Sequence, residues 1–487
     1  MMTSPAPSAP PLAALPPWPG VVEPFLHPDR MSLLGALHGV PAVDLAHARV
    51  LELGAGDGAS ILPLAAAWPD AKWVGVEADA LRALRMAETA VTLRLGNVTA
   101  IHAGLEAAES AARQLGEFDY VVAHGLLSRV GDAERGALWR LVEKVLAPHG
   151  IALVSFDAWP GQHLAEPLRR LMAFHVEALD DDAERVSQAR AIARWHIRRW
   201  ESVHGPMRTL IMQRLGAEVD ALSDETLLRE LLPREPPPSP LQHAVAEAGR
   251  HRLQWLTNAR PSEPRLGRAS SALRTMLGEI PDIVRQQQYL DFFFDTRFRT
   301  SLFCRHGIEL KRQAHVDDFA RFVIGARPGF ELEGRATVEA RWMLEHALAD
   351  LDGLVTVSEL VDRALAKGFP RDRITAQAAV VELFFADAIE LARARPPLLA
   401  SPPAADTHPR TTAYALAQAR SGAATATSLW LREVPLIAAE RAVLARCDGT
   451  RPADEIVEDV GPDGGDALDA LYRYGFLYEP RLSADRS

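Results

Sequence analysis

Three alternating glycines follow a short apolar stretch near residue 50. The segment 50–58 reads VLELGAGDG, and Gly54, Gly56 and Gly58 lie between a predicted strand and a helix that begins at Ser60. Because glycine has no Cβ, such a turn lets backbone N–H groups approach a ligand at the N-terminus of the helix. The residue types and their spacing therefore predict a site for a nucleotide-like ligand.

Two well-known nucleotide-binding patterns do not fit this segment. A Walker A loop requires a Lys-Ser or Lys-Thr pair, which does not follow Gly58. The dinucleotide fingerprint requires Gly-x-Gly-x-x-Gly, whereas this chain has Gly-x-Gly-x-Gly. The turn thus indicates another class of nucleotide-like site.

An acidic residue lies at a suitable distance from the turn. Glu77 ends the next strand candidate, which reads WVGVE at 73–77. A carboxylate at this place can accept hydrogen bonds from both ribose hydroxyls of a bound nucleoside. Taken alone, Glu77 could equally be a solvated acid at a strand end, but its combination with the glycine turn favours the nucleoside site.

Short apolar runs and helical stretches alternate from Arg49 to about Asp157. This alternation is typical of βα repeats around a parallel sheet. The predicted strands are 50–53, 73–76, 100–102, 120–123 and 151–156, and the predicted helices include 60–67, 80–93 and 133–146. The predicted fold class is therefore α/β, with a doubly wound, Rossmann-like domain that carries the glycine turn and Glu77 at its strand ends.

The rest of the chain is predicted to be mainly helical. Five prolines between Pro233 and Pro240 mark a subdomain edge. The segment 319–333 (FARFVIGARPGFELE) alternates like a strand, a turn and a strand, and is predicted to complete the first sheet. The predicted domains are a flexible Pro-rich arm at 1–20, the α/β domain at 21–163, a mostly helical domain at 164–335 in which 319–335 returns to the sheet, and a helical, winged-helix-like domain at 336–487.

The glycine turn also resembles a known family motif. With Glu52 two residues before the first glycine, it is similar to motif I of class I S-adenosylmethionine-dependent methyltransferases. Short matches continue along the chain as HGLLSRV at 124–130, SFDAWPGQH at 155–163, RLMAFH at 170–175, YLDF at 289–292, RFR at 297–299, LFC at 302–304 and CDGT at 447–450. In this order they resemble bacterial methyltransferases with a methyltransferase regulatory domain, a family that includes protein lysine methyltransferases acting on outer-membrane proteins.

The resemblance implies S-adenosyl-L-methionine as the cofactor. Methyltransferases of this class usually place an acid or amide at the position of Gly104 to hold the adenine amino group. Here adenine would rely on backbone groups and on apolar contacts such as Leu105. The implied cofactor-binding residues are Glu52, Gly54, Ala55, Gly56, Gly58, Ser60, Glu77, Ala78, Leu105 and His124.

The resemblance also implies a lysine amine of a protein substrate as the methyl acceptor. The nucleophile must lie in line, about 3 Å from the methyl carbon, with water excluded. An apolar or aromatic pocket helps because it disfavours the ammonium form. The predicted catalytic residues are Phe156 and Trp159 as the wall of this pocket, with Asp157 or His124 orienting the amine. Trp159 has a second interpretation, as packing of the turn before Pro160.

Several presumed acceptor-site residues depart from the family pattern. Leu127 and Arg129 stand where the family typically has Tyr and Trp, and the family's NTYPGW appears as DAWPGQ at 157–162. Ser60 replaces a common Asn after the glycine turn. Two alternatives therefore stay open. One is a binding or scaffold protein that keeps the cofactor fold without catalysis, and the other is a small-molecule methyltransferase whose helical insertion caps the pocket.

Other residue groups are better explained without chemistry. Ser155, Asp157 and His163 lack the Gly-x-Ser-x-Gly elbow of a hydrolase. The histidines have no spacing typical of metal ligands, so no metal is expected. The aromatic stripe at 289–294 recurs at helical spacing and is predicted to be core packing rather than a ligand surface.

Composition limits the partners and the compartment. Lys and Arg number 53 and Asp and Glu 64, giving a formal net charge of −11, so nucleic acid is not an expected partner. The chain has only two cysteines, far apart, which favours a reducing compartment. No apolar run approaches the about 18 residues of a membrane span, and the first residues are not built like a secretory signal. We expect a cytoplasmic protein without membrane insertion, with a protein substrate and with homodimerisation left open.

Overall fold

Seven strands form one mixed sheet in the N-terminal part of the protein. The structure is a computed structural model that describes residues 22–201, 206–232, 237–260, 263, 270–326, 336–349, 351 and 353–479. The strands are β1 (Arg49–Leu53), β2 (Lys72–Glu77), β3 (Val98–His102), β4 (Phe118–Ala123), β5 (Leu146–Asp157), β6 (Leu253–Asn258) and β7 (Phe298–Arg305). Their order is β3-β2-β1-β4-β5-β7-β6, with β1 to β5 parallel and β7 antiparallel to both of its neighbours.

The first five strands confirm the predicted doubly wound sheet. β6 and β7 lie in a segment that the sequence pattern predicts to be mostly helical. β7 is covered on both faces, so it does not alternate between apolar and polar residues. Its Arg299, Thr300 and Ser301 are polar and fully buried. A prediction based on apolar runs therefore does not recognise this strand.

The prediction that residues 319–335 complete this sheet is wrong for the described part of that segment. β7 already pairs with β5 from Ile151 to Asp157 and so occupies the free edge of that strand. β8 (Val323–Ala326) instead joins β9 (Val355–Thr356) and β10 (Ile389–Ala392) in a separate sheet with the order β10-β8-β9. Residues 327–335, like the predicted arm at 1–20, lie outside the described residues.

Thirteen α-helices are described in the same part of the chain. They are α1 (Pro28–Leu37), α2 (Ile61–Ala67), α3 (Ala80–Thr92), α4 (Leu105–Ser110), α5 (Ala112–Leu115), α6 (Asp132–Val145), α7 (Glu166–His175), α8 (Asp182–Glu201), α9 (Pro206–Ala221), α10 (Asp224–Thr226), α11 (Leu241–Gly249), α12 (Ser271–Gly278) and α13 (Ile283–Phe294). Among them, α1, α2, α3, α6 and α11 pack on the two faces of the large sheet. Successive residues of β1 point to opposite faces. Val50 packs in the cluster that includes α1 and α2, and Leu51 packs in the cluster that includes α6 and α11.

Helices α7 to α9 form a hydrophobic cluster of their own. Leu168, Met172, Ala189 and Leu215 are buried within it. The long insertion between β5 and β7 therefore contains both a helical unit and one strand of the large sheet, β6. The predicted domain boundaries themselves stay predictions.

The C-terminal part is mainly helical. It contains α14 (Val338–Trp342), α15 (Val357–Ala366), α16 (Arg373–Phe385), α17 (Ala413–Arg420), α18 (Ala438–Leu444), α19 (Ala453–Val460), α20 (Gly464–Arg473) and the hairpin strands β11 (Thr425–Thr427) and β12 (Glu433–Pro435). It packs against α1, where Arg30 forms an ion pair with Glu390 and Asp29 accepts the N–H of Arg393 at 2.8 Å. Among the described residues, no helix is long and apolar enough to cross a membrane.

Candidate cofactor and acceptor site

The crevice at the carboxyl ends of β1 and β4 is the place where the strand order reverses. Leu53 and Ala123, the last residues of these strands, are paired in register. Gly54 and His124 therefore begin the two loops that leave the sheet side by side. In open α/β sheets, ligands bind in this crevice.

The glycine turn takes a backbone form that side chains would obstruct. Gly54, Gly56 and Gly58 have φ values of +72°, +56° and +88°. A Cβ on Gly54 would lie 2.8 Å from Cδ2 of Leu126, and one on Gly58 would lie 2.9 Å from Cγ of Met86. Both the left-handed conformation and the lack of space therefore require glycine at these two positions.

Backbone hydrogen bonds fix the turn against β2. The N–H groups of Gly54 and Ala55 both donate to the carbonyl oxygen of Val76, at 2.8 and 3.1 Å. Oε2 of Glu77 accepts the N–H of Gly56 at 2.8 Å, and Oε1 accepts the N–H of Asp79 at 2.9 Å. Glu77 thus joins the end of β2 to the turn after β1, and its predicted role on the ribose hydroxyls stays a prediction.

Glu52 lies beneath the turn and is buried. Burial is the main reason why its pKa rises to about 8; the nearby Glu77 raises this pKa further, whereas a hydrogen bond with Ser60 opposes the rise. Glu52 is therefore mostly protonated near neutral pH. Its described contact is with Ser60, at the start of α2, so it holds the turn together.

Two arginines of α3 contact the turn from outside and were not predicted. Nε of Arg82 lies 3.2 Å from Oδ1 of Asp57, and Nη1 of Arg85 lies 3.6 Å from Oδ2. Asp79 caps the same helix by accepting the N–H groups of Leu81 and Arg82. The i, i+3 spacing of the arginines could have indicated this contact from the sequence, because it places both arginines on one face of the helix.

The expected adenine side lies at the ends of β2 and β3. Ala78 is exposed, and Leu105 is buried at the start of α4. A Cβ built on Gly104 meets nothing within 4 Å in the described part of the chain. This position therefore has space for a larger side chain. Because glycine has no side chain, the space beside the expected adenine stays open.

His124 is held by a buried serine. Its Nδ1 lies 2.7 Å from Oγ of Ser155, and the N–H of Gly125 donates to the same Oγ at 2.7 Å. Since the described contacts of Ser155 offer no other acceptor for its hydroxyl proton, this geometry assigns that proton to the bond with Nδ1. Nε2 is then the N–H donor of the ring.

The ring of His124 stays neutral because burial lowers its pKa to about 3, with a further decrease from the positive charges of Arg129 and Arg260. Two aromatic rings contact it edge-on, Phe25 at 5.4 Å and Phe298 at 5.7 Å between centroids. Arg260 lies over the ring of Phe25 at 4.7 Å. This side of the crevice is therefore aromatic, with Arg129 and Arg260 nearby and Glu23 paired with Arg260 at 3.3 Å.

The remaining predicted catalytic residues lie in different surroundings. Phe156 is fully buried in the cluster that includes α6 and α11, which corrects its prediction as a pocket wall because no face of the ring is open. Asp157 is also buried and accepts a hydrogen bond from Nε2 of Gln162 at 3.0 Å. Trp159 is 39% exposed and packs edge-on against Phe292. The structure thus separates Phe156 and Trp159.

The residues that sequence reasoning missed come from distant segments. Phe25 precedes α1, Arg260 follows β6, and Phe298 begins β7. Phe298 lies within the RFR match at 297–299, so the family resemblance carried a signal for it. Phe25 and Arg260 had no local signal, because only the folded chain brings them to the end of β4.

Comparison with family models agrees with this architecture. Residues 50–150 match the model of a methyltransferase domain, residues 223–305 match a predicted methyltransferase regulatory domain, and residues 407–461 match the C-terminal winged helix domain of PKMT. The chain resembles methyltransferases that carry a regulatory domain. These matches confirm the predicted family resemblance and the predicted fold class, including the winged-helix-like C-terminal part.

Individual relatives agree with the family models. Rickettsia prowazekii protein RP789 is 27% identical over 298 residues, which are 61% of this chain and 53% of that protein. The chain therefore spans about half the length of this relative. Rickettsia prowazekii protein RP028 is 26% identical over 37% of this chain and 70% of its own length. The structure of PKMT2 from Rickettsia typhi in complex with AdoHcy covers 95% of this chain and 100% of that one, with a TM-score of 0.79 and 19% identity, so the two share a fold.

Proposed function

We propose that this chain is an S-adenosylmethionine-dependent methyltransferase that methylates lysine side chains of a protein substrate. The observation that carries the proposal is the glycine turn at the strand-order reversal, joined to the carboxylate of Glu77. The match of residues 50–150 to a methyltransferase domain and the fold shared with PKMT2, whose structure holds AdoHcy, support it.

The residues present fit this cofactor. Each carboxylate oxygen of Glu77 accepts one backbone N–H and keeps a second lone pair, which can accept a ribose hydroxyl. The glycines at 54 and 58 allow the left-handed turn to pack closely against Leu126 and Met86, where a Cβ would clash. S-adenosylmethionine supplies an electrophilic methyl group when bound. Glu77, the turn at 54–58 and Leu105 would hold it.

The acceptor side suits a neutral amine. Phe25, Phe298 and the neutral ring of His124 provide apolar surfaces that exclude water. The charges of Arg129 and Arg260, which lower the pKa of His124, also disfavour an ammonium ion beside it. With Nδ1 engaged by Ser155 and Nε2 protonated, His124 does not take the proton of the amine. Another group or water therefore takes this proton.

The altered family positions are compatible with catalysis. Leu127 is 1% exposed and belongs to the core, and Gln162 hydrogen-bonds Asp157. These two residues serve packing and positioning in this chain. Arg129 lies over Gly125, where a Cβ would be 2.9 Å from one of its Nη atoms. A protein substrate is also supported by the match of residues 407–461 to the PKMT winged helix domain.

One labelling experiment tests the proposal. The full chain is incubated with methyl-tritiated S-adenosylmethionine and with soluble and membrane fractions of a bacterial lysate, and proteins are hydrolysed to amino acids. Label in methylated lysine supports the proposal. Label only in small solutes indicates the small-molecule alternative, and calorimetric cofactor binding without transfer indicates the binding protein. The cytoplasm as compartment, the lack of a nucleic-acid partner and a homodimer stay predictions.

A further inference from the structure

A surface cleft of about 680 Å³ lies beside Trp159, at the end of the segment that follows β5. Its lining includes Gln288, Tyr289 and Phe292 of α13 and Gln242 of α11. Trp159 comes two residues after Asp157, the last residue of β5, so the cleft borders the same carboxyl edge of the sheet as His124. The cleft does not include the glycine turn or Glu77.

Exposed aromatic rings form one side of this cleft. The rings of Trp159 and Phe292 meet edge-on at 5.1 Å, yet 39% and 49% of these residues stay exposed. Phe293 and Phe294, which follow Phe292 in α13 but do not line the cleft, are 56% and 40% exposed. The prediction that the stripe at 289–294 is core packing is therefore wrong for these three phenylalanines. Adjacent exposed aromatic residues are typical of an interaction site.

A buried polar atom lies in the same cleft without a partner. Gln288 is only 5% exposed, and its Oε1 accepts the N–H of Gln242 at 3.3 Å. Its Nε2 is buried and makes no hydrogen bond within the described part of the chain. An unpaired buried donor is costly, so an acceptor group supplied by a ligand would stabilise it.

We propose that this cleft binds an extended polypeptide segment. An apolar side chain of the segment packs on Trp159 and Phe292. The Gln288 amide, whose Nε2 is shielded from solvent in this structure, turns toward the cleft and donates a hydrogen bond to a neighbouring backbone carbonyl. Every peptide residue offers a carbonyl next to a side chain, which matches the combination of donor and rings. The proposal rests on the proposed function, because it makes this segment the part of the protein substrate that flanks the methylated lysine.

Binding is tested directly with a small probe. The full chain is produced with 5-fluorotryptophan, and the fluorine signal of Trp159 is assigned by its loss in Trp159→Phe. N-acetyl-L-phenylalaninamide, which carries carbonyls and an apolar ring, should shift this signal in a saturable way. N-acetylglycinamide, which has the carbonyls without the ring, should not. Equal shifts with both compounds, or none with either, would overturn the proposal.

Variants test the role of the donor. Gln288→Glu keeps an acceptor for the N–H of Gln242 but removes the donor, and should weaken probe binding about fivefold. Phe292→Ala should weaken it further. Phe174→Ala removes an exposed ring on α7 outside the cleft and should leave binding unchanged. Unchanged affinity in Gln288→Glu, in a variant that unfolds at the same temperature as the wild type, would contradict the assignment.

Kinetics connect the cleft to the substrate. If lysine labelling occurs, N-acetyl-L-phenylalaninamide should inhibit it competitively against the protein substrate and should not displace the cofactor. Inhibition that is competitive with the cofactor would overturn the proposal. If no labelling occurs, the proposed function fails, whereas the fluorine signal still decides whether the cleft binds a peptide group. The two failures are therefore distinguishable.

Discussion

The two sides of the crevice are built in different ways. The cofactor side consists of residues 52–60 and 77–79, and backbone hydrogen bonds join these two short segments. The proposed acceptor side combines Phe25, His124 and Phe298, which are far apart in the sequence. The first side depends on glycines and one carboxylate, whereas the second depends on side-chain packing. The comparison indicates that the acceptor side can change without altering the cofactor side.

The two sides also differ in charge. At the cofactor side, the raised pKa of Glu52 removes its charge, Asp57 is paired with Arg82 and Arg85, and Glu77 is the acid that accepts the N–H of Gly56 in the turn. The positive charges of Arg129 and Arg260 act on His124 at the acceptor side. A nucleoside therefore meets a hydrogen-bond acceptor, and an incoming amine meets groups that favour its neutral form. Five predictions test this difference.

The largest effect is expected for Glu77→Ala. The loss of two charge-assisted hydrogen bonds of about 1.5 kcal/mol each should weaken cofactor binding about a hundredfold, measured by calorimetry. Glu77→Gln keeps one acceptor oxygen and should lose less cofactor affinity than Glu77→Ala. Thermal unfolding of both variants separates binding from folding, because Glu77 also holds the N–H groups of Gly56 and Asp79. Wild-type affinity in Glu77→Ala would remove the basis of the cofactor site.

A smaller effect is expected for Gly54→Ala. The new Cβ would lie 2.8 Å from Leu126 at a φ of +72°, so the turn must shift. Strain of about 1–2 kcal/mol should lower the free energy of unfolding and weaken cofactor binding about tenfold. Gly278→Ala is the matched control, since a Cβ there meets nothing within 4 Å in the described structure. Similar losses in both variants would argue against a special role for the turn.

Glu52→Gln should change the pH dependence of stability. Between the ordinary pKa of 4.5 and the raised pKa of about 8, the folded chain holds a proton on Glu52 that the unfolded chain releases. Wild-type stability is therefore lost as pH rises through this range, by on the order of 3 kcal/mol relative to the glutamine variant. Denaturant unfolding from pH 5 to 8 measures this difference. Glu106→Gln, at an exposed position, serves as the control. If the free energy of unfolding varies with pH in the same way in the wild type and in Glu52→Gln, Glu52 is charged in the folded chain.

The smallest effect is expected for Ser155→Ala. Nδ1 of His124 loses its donor, so nitrogen NMR of labelled histidine should show a mixture of the two neutral tautomers instead of one. The free energy of unfolding should fall by about 1 kcal/mol, because the N–H of Gly125 loses its acceptor. Ser155→Thr should restore the single tautomer.

The same spectra test the charge of His124. With a pKa of about 3, the folded chain binds no proton here between pH 5 and 8, while the unfolded chain binds one below pH 6.5. The contribution of this group to stability is therefore lost as pH falls from about 6.5 towards 3. A histidine signal that titrates near pH 6.5 would contradict the neutral ring.

Prediction from sequence succeeded for structures that depend on residues close together in the chain. The turn at 54–58 and its proximity to Glu77 follow from glycines and a strand-end acid in adjacent βα units, whereas their role as cofactor ligands stays a prediction. Prediction failed for β7 and for the aromatic stripe at 289–294. In β7 polar residues are buried, and in the stripe aromatic residues are exposed, so the usual relation between residue type and burial is reversed.

The sequence by itself determined the parallel sheet, the glycine turn and the acid that is bonded to it, because these depend on backbone conformation and on residues close together in the chain. Only the tertiary structure decided which rings surround His124, which strand completes the sheet beside β5, and that Phe156 belongs to the core. These features depend on contacts between segments up to about 270 residues apart. A single sequence carries no pattern that fixes such contacts before the chain has folded.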